Sequence, residues 1–569
     1  MTIVIAVVMA LAATSISIGF LTDDHAFRAA LHSTSAHAPA PYDLFRFVPG
    51  DLDGNQLRIR TGHLAWWAAP DLKIHFLRPL TSLAFAADDA LFDAHPLPGH
   101  LVSLAWYLAL LLAAAALFRG LLPPAAATLA LAIFGLSAAH VEAYAWLSAR
   151  HVVLAGAFGA AALALRPDHR RLAVLLFAIG LTASEASLAV APLWIGFELA
   201  TSRPWRARVL ACLPIVALAV VYLIVYAALG VGTRGSGGYH DPAADPLGFV
   251  ALAAIRIPLF LGTAALGIPA ELAHVVAEAK LAVLGLAGAG FVVLALWLTR
   301  RAPGSLATPA ADARPGEPSL RALAWIASGG IAATALGAAG FPAGRMLVLP
   351  DLAFAPVLGL ILSRGLSARW PGRVLAALLA VVHLVLAPLA TLRTVHKLAV
   401  RAHATDAIAA RVAELAPPSG RVFLVAASDP MVFLYPRGIL ADQLPGAIRC
   451  WSVLSAARAG HRFTRTGRKT FTLEPIDHAL LEGSFDRLYR SPDRPFAVGD
   501  TIEQCGASIR VAAVRQGRPT RLEISLRRAL EDPELGWITW QHHQLERFVP
   551  PAVGASVELP WSSGPSGVL

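Results

Sequence analysis

The sequence predicts a polytopic α-helical membrane protein followed by a β-rich soluble domain at its C-terminal end. Three observations lead to this fold class. Of 569 residues, 56% are hydrophobic and only 15% are charged, which is more apolar than a soluble protein with a polar surface. Long apolar runs recur up to about residue 395, and the chain becomes more polar after them. We therefore expect a transmembrane domain over residues 1–395 and an extracytoplasmic β-rich domain over residues 396–569.

The apolar runs are the candidate transmembrane helices, because about 20 helical residues cross roughly 30 Å of hydrocarbon. They lie at 3–20, 99–118, 123–139, 150–165, 172–199, 208–230, 280–299, 322–341, 346–363 and 373–392. The run 172–199 is too long for one helix, and we interpret it as a broken pair around Glu185, which gives about 11 transmembrane helices. The first run carries no Lys or Arg at its start, so we interpret it as a retained span and not as a cleaved signal peptide.

Arginines between the runs set the expected topology, since positive residues favour the cytoplasmic side. They fall on one side if 250–270 does not fully cross: Arg119, Arg166, Arg170, Arg171, Arg203, Arg206, Arg208, Arg300, Arg301, Arg321, Arg364, Arg369 and Arg373. Loops 21–98, 140–149 and 231–249 then face outward together with the C-terminal domain. The net charge of +10 is explained by this topology, and we expect no nucleic-acid partner, because no basic tract or nucleic-acid-binding motif is visible.

Beyond residue 395, one amphipathic helix and several strands are predicted. The strand and hairpin segments are RVFLVAAS, HRFTRTGRKTFTLEPI and IRVAAVRQGRPTRLEISL, with Gly at the turns. Cys450 and Cys505 could pair if this domain lies in an oxidising compartment. Residues 235–248 are expected to form a flexible outward loop, and residues 302–319 a Pro/Ala-rich cytoplasmic linker.

Charged residues from five parts of the chain converge on the outward face in this topology. They are Asp23, Asp24, Arg78, His140, Glu142, Arg150, Glu185 and Arg345. Most of them also have structural explanations: Arg150 and Arg345 could snorkel to the interface, and His140 could cap a helix. The neighbouring Trp66, Trp67 and Trp146 could be interfacial anchors.

The adjacent carboxylates Asp23 and Asp24 are harder to explain structurally. Two like charges beside apolar surroundings raise at least one pKa, and such a carboxylate can act as a general base toward a hydroxyl. Arginine suits a phosphate leaving group. Together these groups indicate sugar transfer from a polyprenyl-phosphate donor to an acceptor hydroxyl, at the outer face where a lipid carrier presents its head group.

Several motifs resemble one family of membrane enzymes. In chain order they are FLTDDHAF, IHFLRPLTSLAFAADDALFDAHPLPGHLVSL, FGLSAAHVEAYAWLSARHVVLAG, LTASEASLAVAPL and GRMLVLPDLAF, covering residues 20–355. They are similar to the GT-C superfamily of polyprenyl-phosphate-sugar-dependent glycosyltransferases. The similarity is strongest to the bacterial relatives of the transmembrane O-mannosyltransferases that carry tetratricopeptide repeats, although this chain lacks the repeats.

The resemblance implies an inverting glycosyltransferase in a bacterial inner membrane. Asp23 and Asp24 would form the catalytic base region, and Arg78, His140, Glu142, Arg150, Glu185 and Arg345 would bind the donor phosphate or substrate. The family often has Ser-Lys-Glu where this chain has Ala183-Ser184-Glu185, and His-Pro where it has Ser137-Ala138, so one candidate phosphate ligand is missing. We expect no cofactor and no obligatory metal, a polyprenyl-phosphate-linked sugar as donor, and an acceptor that is a protein, lipid or glycan.

Two alternatives remain open. A transporter or flippase for a lipid-linked sugar should carry ionisable residues along a path through the bilayer, and Arg256 is a candidate for such a residue. A catalytically silent membrane scaffold is the other alternative, because Ser184 replaces the family lysine.

Overall fold

The fold is described from a computed structural model, over residues 1–35, 38–93, 95–299, 318–365 and 367–565. Most of the predicted linker 302–319 lies outside these residues. The helices are α1 (Thr2–Ala12), α2 (Thr22–Leu31), α3 (Leu52–Arg60), α4 (Pro79–Phe92), α5 (Pro96–Leu121), α6 (Pro124–Gly135), α7 (Val141–Ala145), α8 (Arg150–Leu165), α9 (Arg170–Ala183), α10 (Val190–Leu199), α11 (Trp205–Ala228), α12 (Pro246–Leu266), α13 (Glu278–Thr299), α14 (Leu320–Gly337), α15 (Asp351–Gly365), α16 (Trp370–Ala380), α17 (Ala387–Leu415), α18 (Pro430–Phe433), α19 (Pro436–Gln443) and α20 (Ser484–Tyr489). The strands are β1 (Arg46–Pro49), β2 (Lys73–His75), β3 (Gly232–Arg234), β4 (Arg421–Leu424), β5 (Cys450–Val453), β6 (His461–Arg465), β7 (Thr470–Pro475), β8 (Thr501–Gln504), β9 (Ala507–Arg515), β10 (Arg518–Leu526), β11 (Gly536–Gln541), β12 (Gln544–Arg547) and β13 (Ser556–Leu559).

Within the described ranges, seven helices are long and apolar enough to cross a membrane. They are Pro96–Leu121, Leu147–Leu165, Trp205–Ala228, Pro246–Leu266, Glu278–Thr299, Leu320–Gly337 and Trp370–Leu415. The number rises to nine if each of two bent helix pairs counts as one span. The prediction of a helical chain with many membrane-length helices is confirmed, whereas the crossings themselves and their number stay a prediction.

Apart from the runs in the two bent pairs, two predicted runs form helices shorter than a membrane crossing. The run 172–199 is interrupted at Ser184, whose backbone is extended, and gives α9 and α10 with 14 and 10 residues. The run 346–363 gives α15, which has 15 residues and is mostly buried inside the helical domain. In contrast, α12 is long and apolar enough to cross a membrane, whereas the sequence prediction was that 250–270 does not fully cross.

One helix continues through residue 395, where the sequence places the boundary between the two domains. A short π-helical segment, Val381–Leu386, joins α16 to α17, and the resulting continuous helix of 46 residues ends only at Leu415. The physical reason is that no Gly or Pro follows Pro388 until Pro417, so nothing stops the helix at the end of the apolar run. The two domains are therefore connected by a helix and not by a flexible linker.

Close packing of helices holds the helical domain together. The α10 and α14 helices meet at Gly196 and Gly329, where a Cβ on Gly196 would lie 2.7 Å from the Trp325 carbonyl and one on Gly329 would lie 2.7 Å from the Pro192 carbonyl. Small residues let membrane helices approach this closely, which strengthens dispersion contacts between them. This packing fixes the ends of the helices that carry the charged residues.

The C-terminal domain contains two sheets over a common apolar core. An antiparallel sheet has the order β13-β6-β7-β10-β9-β8, and a mixed sheet has the order β12-β11-β4-β5, in which β4 is parallel to both neighbours. The β6–β7 and β9–β10 hairpins confirm the predicted strands. A disulfide joins Cys450 and Cys505, one of the two states that the sequence left open for this pair.

The loops that the sequence predicts to face outward pack against the C-terminal domain. Trp66 and Trp67 are buried and donate to the carbonyls of Leu454 and Asp486, so they are core residues of the domain contact and not interfacial anchors. Loop 235–248 is not a free connection, because the Gly237 amide donates to the Arg487 carbonyl at 2.7 Å. The strands β1, β2 and β3 form a small sheet that joins loops 21–98 and 231–249.

Candidate functional site

Asp23 and Asp24 lie in the first turn of α2, beyond the apolar helix that precedes them. The helical segments Thr2–Ser17 and Thr22–Leu31 are bent by 65° relative to each other, and α2 packs against α19 of the C-terminal domain. We therefore place α2 outside the membrane-crossing segment. This position brings both carboxylates to the contact between the two domains.

The Asp24 carboxylate binds two backbone amides. It accepts hydrogen bonds from the amides of Leu21 at 2.9 Å and Ser148 at 2.7 Å, and the residue is fully buried. Burial raises the pKa of Asp24 to about 6, although both amide bonds oppose that shift. Asp24 thus caps α2 and ties it to the segment just before α8.

The Asp23 carboxylate has a different environment. Within the described part of the chain it makes no hydrogen bond or ion pair, and it keeps partial exposure. Burial, followed by the charge of Asp24, raises the pKa of Asp23 to about 7, while the charges of Arg345 and Arg78 oppose that rise. Asp23 is consequently a carboxylate whose pKa lies near neutral pH, and two arginines are close enough to influence its charge.

Each of these arginines is fixed by a carboxylate and by aromatic rings. Arg78 donates to Glu185 from Nε, at 2.8 Å to Oε2, and from Nη2 to Oε1. Its guanidinium lies 4.6 Å from the ring centres of Phe45 and Phe76. This geometry is the bidentate fork that orients a guanidinium.

Arg345 is held in a similar way. It pairs with Glu142, and its guanidinium lies 5.5 Å from the ring centre of Trp146. The fold therefore brings four of the predicted residues, Arg78, Glu142, Glu185 and Arg345, together with Asp23.

Three tyrosines that sequence reasoning missed surround Asp23. Burial raises the pKa of Tyr239, Tyr435 and Tyr489, and the charge of Asp23 adds to each rise. Tyr239 comes from loop 231–249, whereas Tyr435 and Tyr489 come from the C-terminal domain. No local pattern could have identified them, because their separation along the chain says nothing about their proximity.

A cavity of about 440 Å³ opens beside this cluster, between the helical domain and α17. Its apolar walls include Leu266, Val382 and Leu386, and Glu142 lies at its edge. Two further carboxylates, Glu271 and Asp351, also line it, and three basic residues come from one face of α17, namely Arg393, Lys397 and Arg401. Their spacing of four residues places them in line along the helix. That spacing was visible in the sequence, but the predicted boundary divides the row, with Arg393 in the transmembrane domain and Lys397 and Arg401 in the C-terminal domain.

The three basic side chains of α17 lack acidic partners among the residues that the structure describes. Arg401 also influences the pKa of Tyr435, the neighbour of Asp23. The basic row therefore leads from the apolar part of the cavity toward the Asp23 cluster.

The structure places His140 and Arg150 in other contacts. The His140 Nε2 atom lies 2.9 Å from an Asp351 oxygen, and the residue is fully buried. The Arg150 guanidinium is 1% exposed and is bound by Asp88, the Ser103 hydroxyl and the Gly99 carbonyl. Neither residue is among the charges that influence Asp23.

The departures from the family pattern also have a structural context. The Ser184 hydroxyl lies 3.0 Å from His151 Nδ1 and accepts from the Ala186 amide at 3.2 Å, so it begins the 3₁₀ turn Glu185–Ala189 that presents Glu185 to Arg78. Ser137 and Ala138 line the cavity.

Arg256, the residue that a transport path would use, is already bound. Its guanidinium pairs with Glu278 at 2.9 Å and donates to the carbonyls of Ala338 and Gly340. Among the described residues, no three His, Cys, Asp or Glu side chains are grouped in a way that could hold a metal ion.

Comparisons with protein families, with curated proteins and with solved structures found no match for this chain.

Proposed function

We propose that this protein is a membrane glycosyltransferase that transfers a sugar from a polyprenyl-phosphate donor to an acceptor hydroxyl at the outer face of a bacterial inner membrane. Asp23 is the general base, and Arg78 and Arg345 bind the donor phosphate. The observation that carries this proposal is the Asp23 carboxylate, which lacks a partner in the described chain and lies within reach of two oriented guanidiniums.

The reaction follows from these groups. The acceptor oxygen forms a bond to the anomeric carbon as its proton passes to an Asp23 oxygen, and the bond from that carbon to the phosphate oxygen breaks. The phosphate leaves with the bonding electrons and gains charge, which Arg78 and Arg345 stabilise. A pKa of about 7 suits a base at neutral pH, since a useful part of the Asp23 population is ionised there. Direct displacement of this kind inverts the anomeric centre.

The cavity fits the lipid part of such a donor. Apolar walls would hold isoprenoid units, while Arg393, Lys397 and Arg401 would attract a phosphate and guide it toward Asp23. The neighbouring tyrosines offer rings and hydroxyls to a sugar. These features support a lipid-linked substrate over a soluble one.

The disulfide supports the proposed orientation. Cys450 and Cys505 lie in the C-terminal domain, and disulfides persist in oxidising compartments such as the bacterial periplasm. We therefore place this domain and the Asp23 cluster outside the cytoplasm, with the acceptor arriving from that side.

The test combines lipid analysis with a transfer assay. We expect purified protein to retain polyprenyl phosphate detectable by mass spectrometry, and we expect it to transfer radiolabelled sugar from a polyprenyl-phosphate donor. Asp23→Asn should lower the transfer rate by about 10²- to 10⁴-fold, the range attributed to general base catalysis. Glu558→Gln is the matched control, because Glu558 forms an exposed ion pair with Arg462. Transfer by Asp23→Asn at the rate of this control would refute the proposed base.

A further inference from the structure

The α2 helix, which carries Asp23, contacts the C-terminal domain through a buried charged network. His25 and Arg28 lie on the turns that follow Asp23 and face α19. The side chains of His25 and Arg28 are 2% and 7% exposed. Buried charged groups need partners, so the position of α2 depends on the groups that pair with His25 and Arg28.

Asp442 of α19 is the residue that meets both of these side chains. Its carboxylate lies 2.7 Å from His25 Nδ1 and accepts from Arg28 Nε at 3.2 Å, with the Asp442 side chain only 5% exposed. Arg28 also pairs with Asp89 of α4 and donates to the Asp93 carbonyl at 3.0 Å. One carboxylate of the C-terminal domain therefore anchors α2 against α4 of the helical domain.

The same domain also forms part of the wall around Asp23. Tyr435 lies just before α19, and Tyr489 ends α20; both are half-buried, and the charge of Asp23 raises the pKa of both hydroxyls. The C-terminal domain thus contacts α2 on two sides of the reacting carboxylate. Such contacts limit the directions in which the first turn of α2 can move.

We propose that Asp442 is a positioning residue, which holds α2 through His25 and Arg28 and so sets the place of the Asp23 carboxylate. The C-terminal domain is then a structural part of the site and not only a docking module. The inference rests on the proposed function for its catalytic consequence, but the position of residue 23 is measurable without any activity.

The first experiment measures the accessibility of position 23. In full-length protein carrying Cys212→Ser and Asp23→Cys, the labelling rate with a maleimide reports how exposed that position is. We expect Asp442→Ala to raise this rate by about fivefold or more, because α2 opens more often when His25 and Arg28 lose their shared contact with α19 and keep only Asp406 and Asp89. Asp442→Glu should remain within about twofold of the parent, since it keeps the charge.

Two controls separate positioning from general loosening. Glu558→Ala removes an exposed carboxylate from the same domain and should leave labelling at position 23 unchanged. A second reporter, Thr539→Cys, lies buried in β11 and should stay slow to label in the Asp442→Ala protein. An unchanged rate at position 23, or equal increases at positions 23 and 539, would overturn the inference.

The second experiment uses the transfer assay on proteins that retain Asp23. Asp442→Ala should lower kcat by about tenfold or more with the donor KM within about threefold, because misplacing a catalytic group affects the transition state more than ground-state binding. Parental kcat in this variant would overturn the inference. If wild-type protein transferred no sugar, the proposed function would fail, while the labelling result would still decide whether Asp442 positions α2.

Discussion

The two ends of α8 each carry buried charge, but only one end has the features of a site. At the C-terminal end, Arg166 donates to Glu198 at 2.8 Å, with the guanidinium 5.1 Å from the Phe197 ring centre. At the N-terminal end, the Ser148 amide holds Asp24, and Asp23 beside it has no partner in the described chain. A buried ion pair therefore does not by itself indicate a functional site. A carboxylate without a partner, close to two arginines and a cavity, is a stronger indication of one.

The largest expected effect concerns the C-terminal end of α8. Glu198→Ala should lower the free energy of unfolding by about 3–5 kcal/mol, because it leaves the Arg166 guanidinium buried without its partner. Donor binding by the folded fraction should stay unchanged, since this pair lies at the other end of the helix. Thermal unfolding in detergent and binding of labelled polyprenyl phosphate measure the two quantities. If Glu198→Ala instead weakened lipid binding and left stability unchanged, the C-terminal end of α8 would belong to the binding site, which would contradict the comparison of the two ends.

The next effect concerns phosphate binding at the site. Arg78→Ala should weaken binding of the polyprenyl-phosphate donor by about ten- to a hundredfold, as expected from a lost charge-assisted interaction of 1.5–3 kcal/mol. It should disturb membrane insertion less than it disturbs binding, because Arg78 lies at the start of α4 and not within an apolar run. Equilibrium binding to reconstituted protein is the measurement. Donor affinity equal to that of the wild type would remove Arg78 from the site.

A smaller effect should distinguish the two adjacent carboxylates. Asp24→Asn should lower the free energy of unfolding by about 1–3 kcal/mol, because the two amides of Leu21 and Ser148 lose a charged acceptor. Asp23→Asn should not lower stability, because the raised pKa of Asp23 means that its negative charge does not stabilise the folded state. Melting curves of both variants, compared with transfer rates well below the melting temperature, check this division. A greater loss of stability in Asp23→Asn would contradict it.

The smallest effect is a dependence on pH. The proposed transfer reaction requires ionised Asp23, so with a pKa of about 7 the rate should rise by about tenfold between pH 6 and pH 8. The stability trend has the opposite sign. The folded state holds the Asp23 proton more tightly than the unfolded state. The stabilising contribution of protonated Asp23 to the free energy of unfolding is therefore complete below pH 3.8 and is lost as pH rises toward about 7. A rate profile that is flat from pH 6 to pH 8 would contradict the role of Asp23.

Some features of the site followed from local sequence. The adjacency of Asp23 and Asp24 after an apolar run is visible in the chain, and so is the spacing of Arg393, Lys397 and Arg401. The hydrogen bonds that hold Asp24 were not visible in the sequence, because they depend on which backbone amides come close in the fold. It also placed the domain boundary at residue 395, where α17 in fact continues, because a change in polarity does not end a helix without a breaking residue.

The sequence by itself determined the apolar helices and the hairpins of the C-terminal domain, because periodicity and turn residues act over a few positions. Only the tertiary structure decided which charges meet. Glu185 lies 107 residues from Arg78, and Glu142 lies 203 residues from Arg345, so their pairing depends on how the helices pack. The tyrosines around Asp23 and the Asp442 anchor depend in the same way on the contact between two domains, which no local pattern encodes.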